Sequence, residues 1–143
     1  MCGGVEAKDK ERAYEAFKIY FPNPKAAFPV MLEDGTDLGW VPWGRRKEQP
    51  GNGPQGGWAK RETVERGGWA QYHPQRAFAL VSRYMEKDAE RVSHWFDVND
   101  RYGLECLVIG EGDQRRAYVV TSAPPAEHAA IHDRWPVLKK LPE

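Results

Sequence analysis

LECLVIGEGDQRRAYVVTS, residues 104–122, holds two apolar runs separated by the short polar segment EGDQ. LECLVIG and RAYVVTS are rich in β-branched and aromatic residues, and EGDQ carries the glycine and polar side chains of a turn. The stretch predicts strand, turn, strand. Working outward, AFALV (77–81) and HWFDV (94–98) have the same character, and ND (99–100) marks a turn between strands. Together these runs predict a mainly antiparallel sheet.

Nearer the N-terminus, FPVML (28–32) and DLGWVPW (37–43) read as short strands joined by the turn EDGT. Residues 8–20, KDKERAYEAFKIY, set Ala13, Phe17 and Tyr20 at helical spacing, with Asp9 as a cap. They predict a helix that ends at PNPK, since proline breaks the hydrogen-bond ladder. Gly, Pro and charge dominate residues 45–57, RRKEQPGNGPQGG, which predicts a long mobile loop. SAPPAEHAAIH (122–132), with Ser122 as a cap, predicts a short helix, and WPVLKKL (135–141) a returning strand. The expected class is α+β: one β-rich domain over 1–143, with a mainly antiparallel sheet and a few short helices.

Composition narrows the function. The 21 basic and 21 acidic side chains cancel, so a nucleic-acid partner needs a local basic patch rather than a global positive field. No apolar run reaches membrane-span length and no apolar signal region opens the chain, so no membrane partner is expected. The two cysteines, Cys2 and Cys106, have no paired spacing, which fits a reducing cytoplasm without disulfides. The histidines show no metal-ligand spacing, so no metal site is expected.

Four short segments can carry chemistry. MCGG (1–4) puts Cys2 behind the initiator Met, and Met1 is removable because the next side chain is small. The exposed amine (ordinary pKa about 7.7–8.0) and thiol (about 8.5) would both be partly unprotonated near neutral pH. An aldehyde gives an imine with that amine, and the adjacent thiol closes it into a thiazolidine. The plainer reading is a frayed end. RYMEK (83–87) places Glu86 at a strand end beside Tyr84, where a semi-apolar setting raises a carboxyl pKa; a solvated Glu is the alternative. IHDRWPVL (131–138) offers His132 as a proton donor or acceptor, or as a helix cap, with Asp133 and Arg134 in structural ion pairs. WVPWGRRK (40–47) and WAKRET (58–63) interleave aromatic rings and cations, which suits single-stranded nucleic acid. Trp43, Arg45, Arg46, Lys60 and Arg61 are the DNA-binding candidates, while Trp40 suits the core at least as well.

The order of these segments resembles the SRAP family, the SOS response-associated peptidases or abasic-site processing proteins. MCG opens the chain as in that family, although Gly4 stands where an Arg is usual. YFPNPKAAFPVML, LGWVPWG, WAKRETV, ALVSRYMEK and AAIHDRWPVL are similar to its successive motifs, and the last is the most specific. The resemblance implies a β-rich α+β domain with a positive cleft that binds abasic sites in single-stranded DNA. By position, Cys2 is the nucleophile that forms a thiazolidine crosslink once Met1 is gone. Glu86 is the acidic residue that assists imine formation and strand cleavage, and His132 opens the sugar and moves protons at its oxygen. No cofactor is implied, and the expected state is a cytoplasmic monomer, nucleoid-associated if bacterial, or phage-encoded. The family's Asn falls on Trp58 and its following Arg on Lys60, so sugar positioning differs here. The competing functions are a self-processing N-terminal-nucleophile peptidase and a non-catalytic module for single-stranded DNA.

Overall fold

The computed structural model describes residues 3–9 and 15–142, and its fold is β-rich, mainly antiparallel, with few short helices. A four-stranded sheet has the order β2-β1-β7-β8, built from β1 (Gly4–Asp9), β2 (Glu15–Tyr20), β7 (Arg83–Lys87) and β8 (Ser93–Asp97). A second sheet has the order β11-β10-β9-β6-β3-β4. Its strands are β3 (Ala27–Leu32), β4 (Asp37–Pro42), β6 (Gln75–Ala79), β9 (Tyr102–Ile109), β10 (Arg116–Ser122) and β11 (Trp135–Pro136). Two short strands join it off this path: β5 (Trp58–Lys60) runs parallel to β10, and β12 (Leu138–Lys140) antiparallel to β9. The one α-helix among the described residues, α1 (Arg61–Glu65), follows β5 directly.

The 104–122 stretch becomes β9, a turn and β10, paired from Arg116 opposite Ile109 to Val119 opposite Cys106. Its apolar residues run nearly unbroken because both faces of these strands are covered. Leu104, Cys106, Val108, Ala117 and Val119 point into a core shared with Val5, Phe28, Val30 and Tyr84. Leu107, Ile109, Tyr118 and Val120 point the other way, into a smaller core with Ala59 and Trp69.

Three local expectations are corrected. The helix over 8–20 is not formed at either described end, since residues 8–9 belong to β1 and 15–20 to β2. These strands pair from Gly4 opposite Tyr20 to Asp9 opposite Glu15, and Ala13 lies outside the described residues. A period of two explains the burial: Val5 and Ala7 are core, while Glu6 and Lys8 point away from it. Ser122 ends β10 instead of capping a helix, and after the extended backbone of Pro125 (ψ 151°) the segment holds a single 3₁₀ turn, Ala126–His128.

The 45–57 loop is tied down rather than mobile. Arg45 donates to the carbonyls of Gly53 (2.8 Å) and Gln49 (3.0 Å), Arg116 to those of Gly44 and Pro50, and the Tyr118 hydroxyl to Pro54 O at 2.6 Å. Gly53 is pressed so close to Ile109 that an added Cβ would stand 2.4 Å from its Cδ1.

Candidate active site

Glu86 is the penultimate residue of β7, and its neighbours explain its chemistry. Side chains alternate along RYMEK, so Glu86 shares the face of core residue Tyr84. It is 0% exposed. Burial away from water penalises the carboxylate and pushes the carboxyl pKa up to about 7. Near neutral pH both of its protonation states are therefore populated.

Gly3, the first described residue, is anchored beside it. The Gly3 amide donates to Met85 O at 3.1 Å, and the Phe21 amide donates to Gly3 O at 3.2 Å. Gly3 is held on both sides, extending the β7–β1–β2 pairing by one residue. Met1 and Cys2 lie outside the described residues, so the expected nucleophile is among the residues not described. Covalent geometry ties Cys2 to Gly3, with about 3.8 Å between their Cα atoms.

Gly3 lines a cleft of about 730 Å³ together with Tyr20, Phe21, Trp58, Met85 and His132. Lys87 reaches the same cleft. Glu86 itself is buried in the strand between Met85 and Lys87, which both line it. Of the three catalytic residues named from sequence, His132 lines the cleft, Glu86 lies in its supporting strand, and Cys2 lies outside the described residues, although its neighbour Gly3 lines the cleft.

His132 is posed by the turn that follows it. The Arg134 amide donates to His132 Nδ1 at 3.1 Å, and Asp133 Oδ1 lies 3.1 Å from the same nitrogen. Desolvation lowers the imidazole pKa, the dominant effect, while Asp133 pulls the other way. A neutral ring whose Nδ1 accepts from an amide carries its proton on Nε2. Arg134 locks the turn: it donates to Thr121 O at 2.6 Å and to Glu62 Oε2 of α1 at 3.0 Å. The hydrogen bond from Arg134 in turn holds the Glu62 carboxyl below its ordinary range. The ion-pair expectation holds for Arg134 on Glu62, while Asp133 beside His132 Nδ1 makes an ion pair only when the ring is protonated.

The expected DNA-binding residues divide sharply. Trp43 is 0% exposed, its Nε1 donates to Gly57 O at 3.0 Å, and its ring packs edge-on against Phe21, Phe28 and Trp58. It is core and has no face for a base. Arg45 spends its guanidinium on loop carbonyls. Arg46 lies over the Phe21 ring at 3.9 Å and donates to the carbonyls of Trp43 and Phe21. Desolvation, then repulsion from Arg116, lowers the Arg46 pKa. Both arginines are half-buried and largely committed within the fold, with the Nη2 donors of Arg45 left over. Lys60 and Arg61 are exposed, as expected, although Arg61 is 3.8 Å from Glu65. Trp40, for which the sequence leaves core and surface both open, is 40% exposed.

Trp58, set by the resemblance at the family's Asn position and left out of the candidate residues, belongs to the site. Its ring lies 4.7 Å from Phe21 and 6.1 Å from Trp43, so it forms the outer end of an aromatic cluster and a wall of the cleft. The alternation in WAK was the available signal: Ala59 points into the core, so Trp58 and Lys60 share the opposite face.

Comparison with family models, with curated proteins and with solved structures gives no match. Among the described residues, no three His, Cys, Asp or Glu side chains gather as metal ligands, and no helix is long and apolar enough to cross a membrane. The cleft combines an apolar aromatic wall with an imidazole whose pKa is lowered by desolvation, and the strand beneath it buries a carboxyl that titrates near neutrality. That combination suits proton transfer around a carbonyl addition.

Proposed function

We propose that this protein binds abasic sites in single-stranded DNA and crosslinks to them covalently through Cys2 once Met1 has been removed. One observation carries the reading. Gly3, the residue bonded to Cys2, lines the same cleft as His132 and hydrogen-bonds to the strand residue next to Glu86.

The chemistry balances without an oxidant or a cofactor. The α-amine of Cys2 adds to the aldehyde carbon of the ring-opened deoxyribose and gives a carbinolamine. Loss of water gives the imine. The thiol then adds to the imine carbon and its proton passes to nitrogen, closing the thiazolidine; the water lost on imine formation is the only one released. Glu86, protonated in part near pH 7, supplies the proton that leaves with the hydroxyl. His132 Nε2–H is a donor for the sugar oxygen as the ring opens. Trp58 and Phe21 offer an apolar wall for the sugar and the neighbouring base, in place of the polar contact that the SRAP resemblance leads one to expect.

The test uses the Met-processed chain and a single strand with one abasic site. The expected outcome is a complex that survives denaturation, abolished by Cys2→Ala and slowed about 100-fold by Glu86→Gln or His132→Ala. Denaturation-sensitive binding that Cys2→Ala leaves unchanged would sink the crosslinking reading in favour of a non-catalytic binding module.

A further inference from the structure

A second cleft, of about 480 Å³, opens between the 45–57 loop, the turn after β9 and the segment around Tyr72. Arg45, Arg116, Asn52, Gln71, Tyr72 and His73 line it. Among the described residues its walls hold two guanidiniums and no acidic side chain. Arg116 is only 8% exposed and spends its terminal nitrogens on Gly44 O, Gln49 Oε1 and Pro50 O. Its Nε is buried with no hydrogen-bond partner. Arg45 uses Nε and Nη1 on loop carbonyls, which leaves the donors of Nη2 uncommitted. Neither cation forms an ion pair among the described residues, although Glu48, Glu111 and Asp113 are near in sequence.

Buried cations are ordinarily paired, because an uncompensated charge in a low-dielectric setting is costly. Here the carbonyls satisfy part of the donor set but supply no negative charge. Arg46 adds a third guanidinium close enough for Arg116 to lower its pKa. A tetrahedral oxyanion in the cleft would supply the missing charge and accept from the remaining N–H groups. Guanidinium forks match phosphate oxygens in this way. The amides of Asn52 and Gln71 and the Tyr72 hydroxyl are further donors at the rim.

We infer that the cleft lined by Arg45 and Arg116 is a phosphate-binding site, separate from the cleft that holds His132. The inference stands independently of the abasic-site reading. The ligand's chemistry is a phosphate group, carried either by a DNA backbone or by a free small molecule.

The test is a titration of the full chain with inorganic phosphate at constant ionic strength, followed by amide NMR. Saturable shifts at Gly51, Gly53 and Gly110 are expected, with chloride at matched ionic strength giving none. Gln71→Glu, an exposed substitution that brings a carboxylate to the guanidiniums, should weaken binding at least about tenfold. Arg45→Gln should weaken it too, and the unshifted remainder of its spectrum shows whether the fold survives. Shifts that never saturate, or that persist unchanged in Gln71→Glu, overturn the site. A short oligothymidylate separates the sources: competition with phosphate assigns the site to a DNA backbone, and saturable phosphate binding untouched by the strand assigns it to a free phosphorylated ligand.

Discussion

The two clefts bury charge of opposite sign and do so differently. Around His132, a single carboxyl is hidden in a strand and escapes the cost by holding its proton up to about pH 7. Around Arg116, the cations are guanidiniums, which do not give up their protons near neutral pH, so carbonyl oxygens are folded around them instead. A buried acid can become a proton shuttle, whereas a buried arginine becomes a fixed charge that organises a loop. The aromatic cluster of Phe21, Trp43 and Trp58 touches both regions. Its Phe21 ring lines the His132 cleft and carries the guanidinium of Arg46, from the loop that walls the second cleft.

The harshest way to break the contrast is to remove what both regions share. Trp43→Ala deletes a fully buried ring and its hydrogen bond to Gly57. A loss of about 3–5 kcal/mol in urea unfolding is expected. The fluorescence of Trp58 and the amide shifts of residues 45–57 should change together, since both rest on that ring. A change confined to one side would mean that the clefts are mechanically independent.

Glu86→Gln sharpens the contrast through pH. The folded carboxyl titrates at about 7 against an ordinary value of 4.5. Below about 4.5 the residue is protonated in both the folded and the unfolded chain, so wild type and variant behave alike. As pH rises toward 7 the unfolded state loses its proton first, so wild-type stability falls, and the fall levels off once the folded group has also ionised. The difference between 4.5 and about 7 corresponds to roughly 3 kcal/mol. The amide, which does not titrate, should remove this dependence, leaving the variant more stable than wild type at pH 8 but not at pH 4.5. Parallel stability profiles for the two proteins would contradict the buried-acid account.

What the sequence made legible follows from how completely each segment is buried. β9 and β10 announce themselves because both faces are covered, so nearly every position is apolar. The hairpin of β1 and β2 does not, because β2 is an edge strand with charged residues outward, and Phe17 and Tyr20 fall at a spacing that a helix also allows. Trp43 misleads through its neighbours: adjacency to the arginines suggests a surface role, whereas counting alternately from buried Val41 puts Trp43 in and Trp40 out. In the candidate site, Glu86 and His132 were legible as residue types with suitable chemistry. Trp58 was not, because its role as a wall depends on Phe21 and His132 arriving from distant parts of the chain.

The smallest expected effect separates the exposed cations from the buried ones. Lys60 shares a strand face with the cleft-wall residue Trp58 and has no ion pair among the described residues. If it meets a phosphate of a bound single strand, Lys60→Gln should lower the slope of log affinity against log salt by about 0.7, the value for one contact. Arg61→Gln should change it less, because Glu65 already answers part of that charge. Arg46→Gln should leave the slope unchanged, since its guanidinium is committed to Phe21 and to two backbone carbonyls. These three slopes, measured on undamaged single strands where no covalent step intervenes, rank the cations by what they can reach. A slope that drops for Arg46→Gln but not for Lys60→Gln would reverse the assignment, making the 45–47 run the DNA surface and Lys60 a bystander.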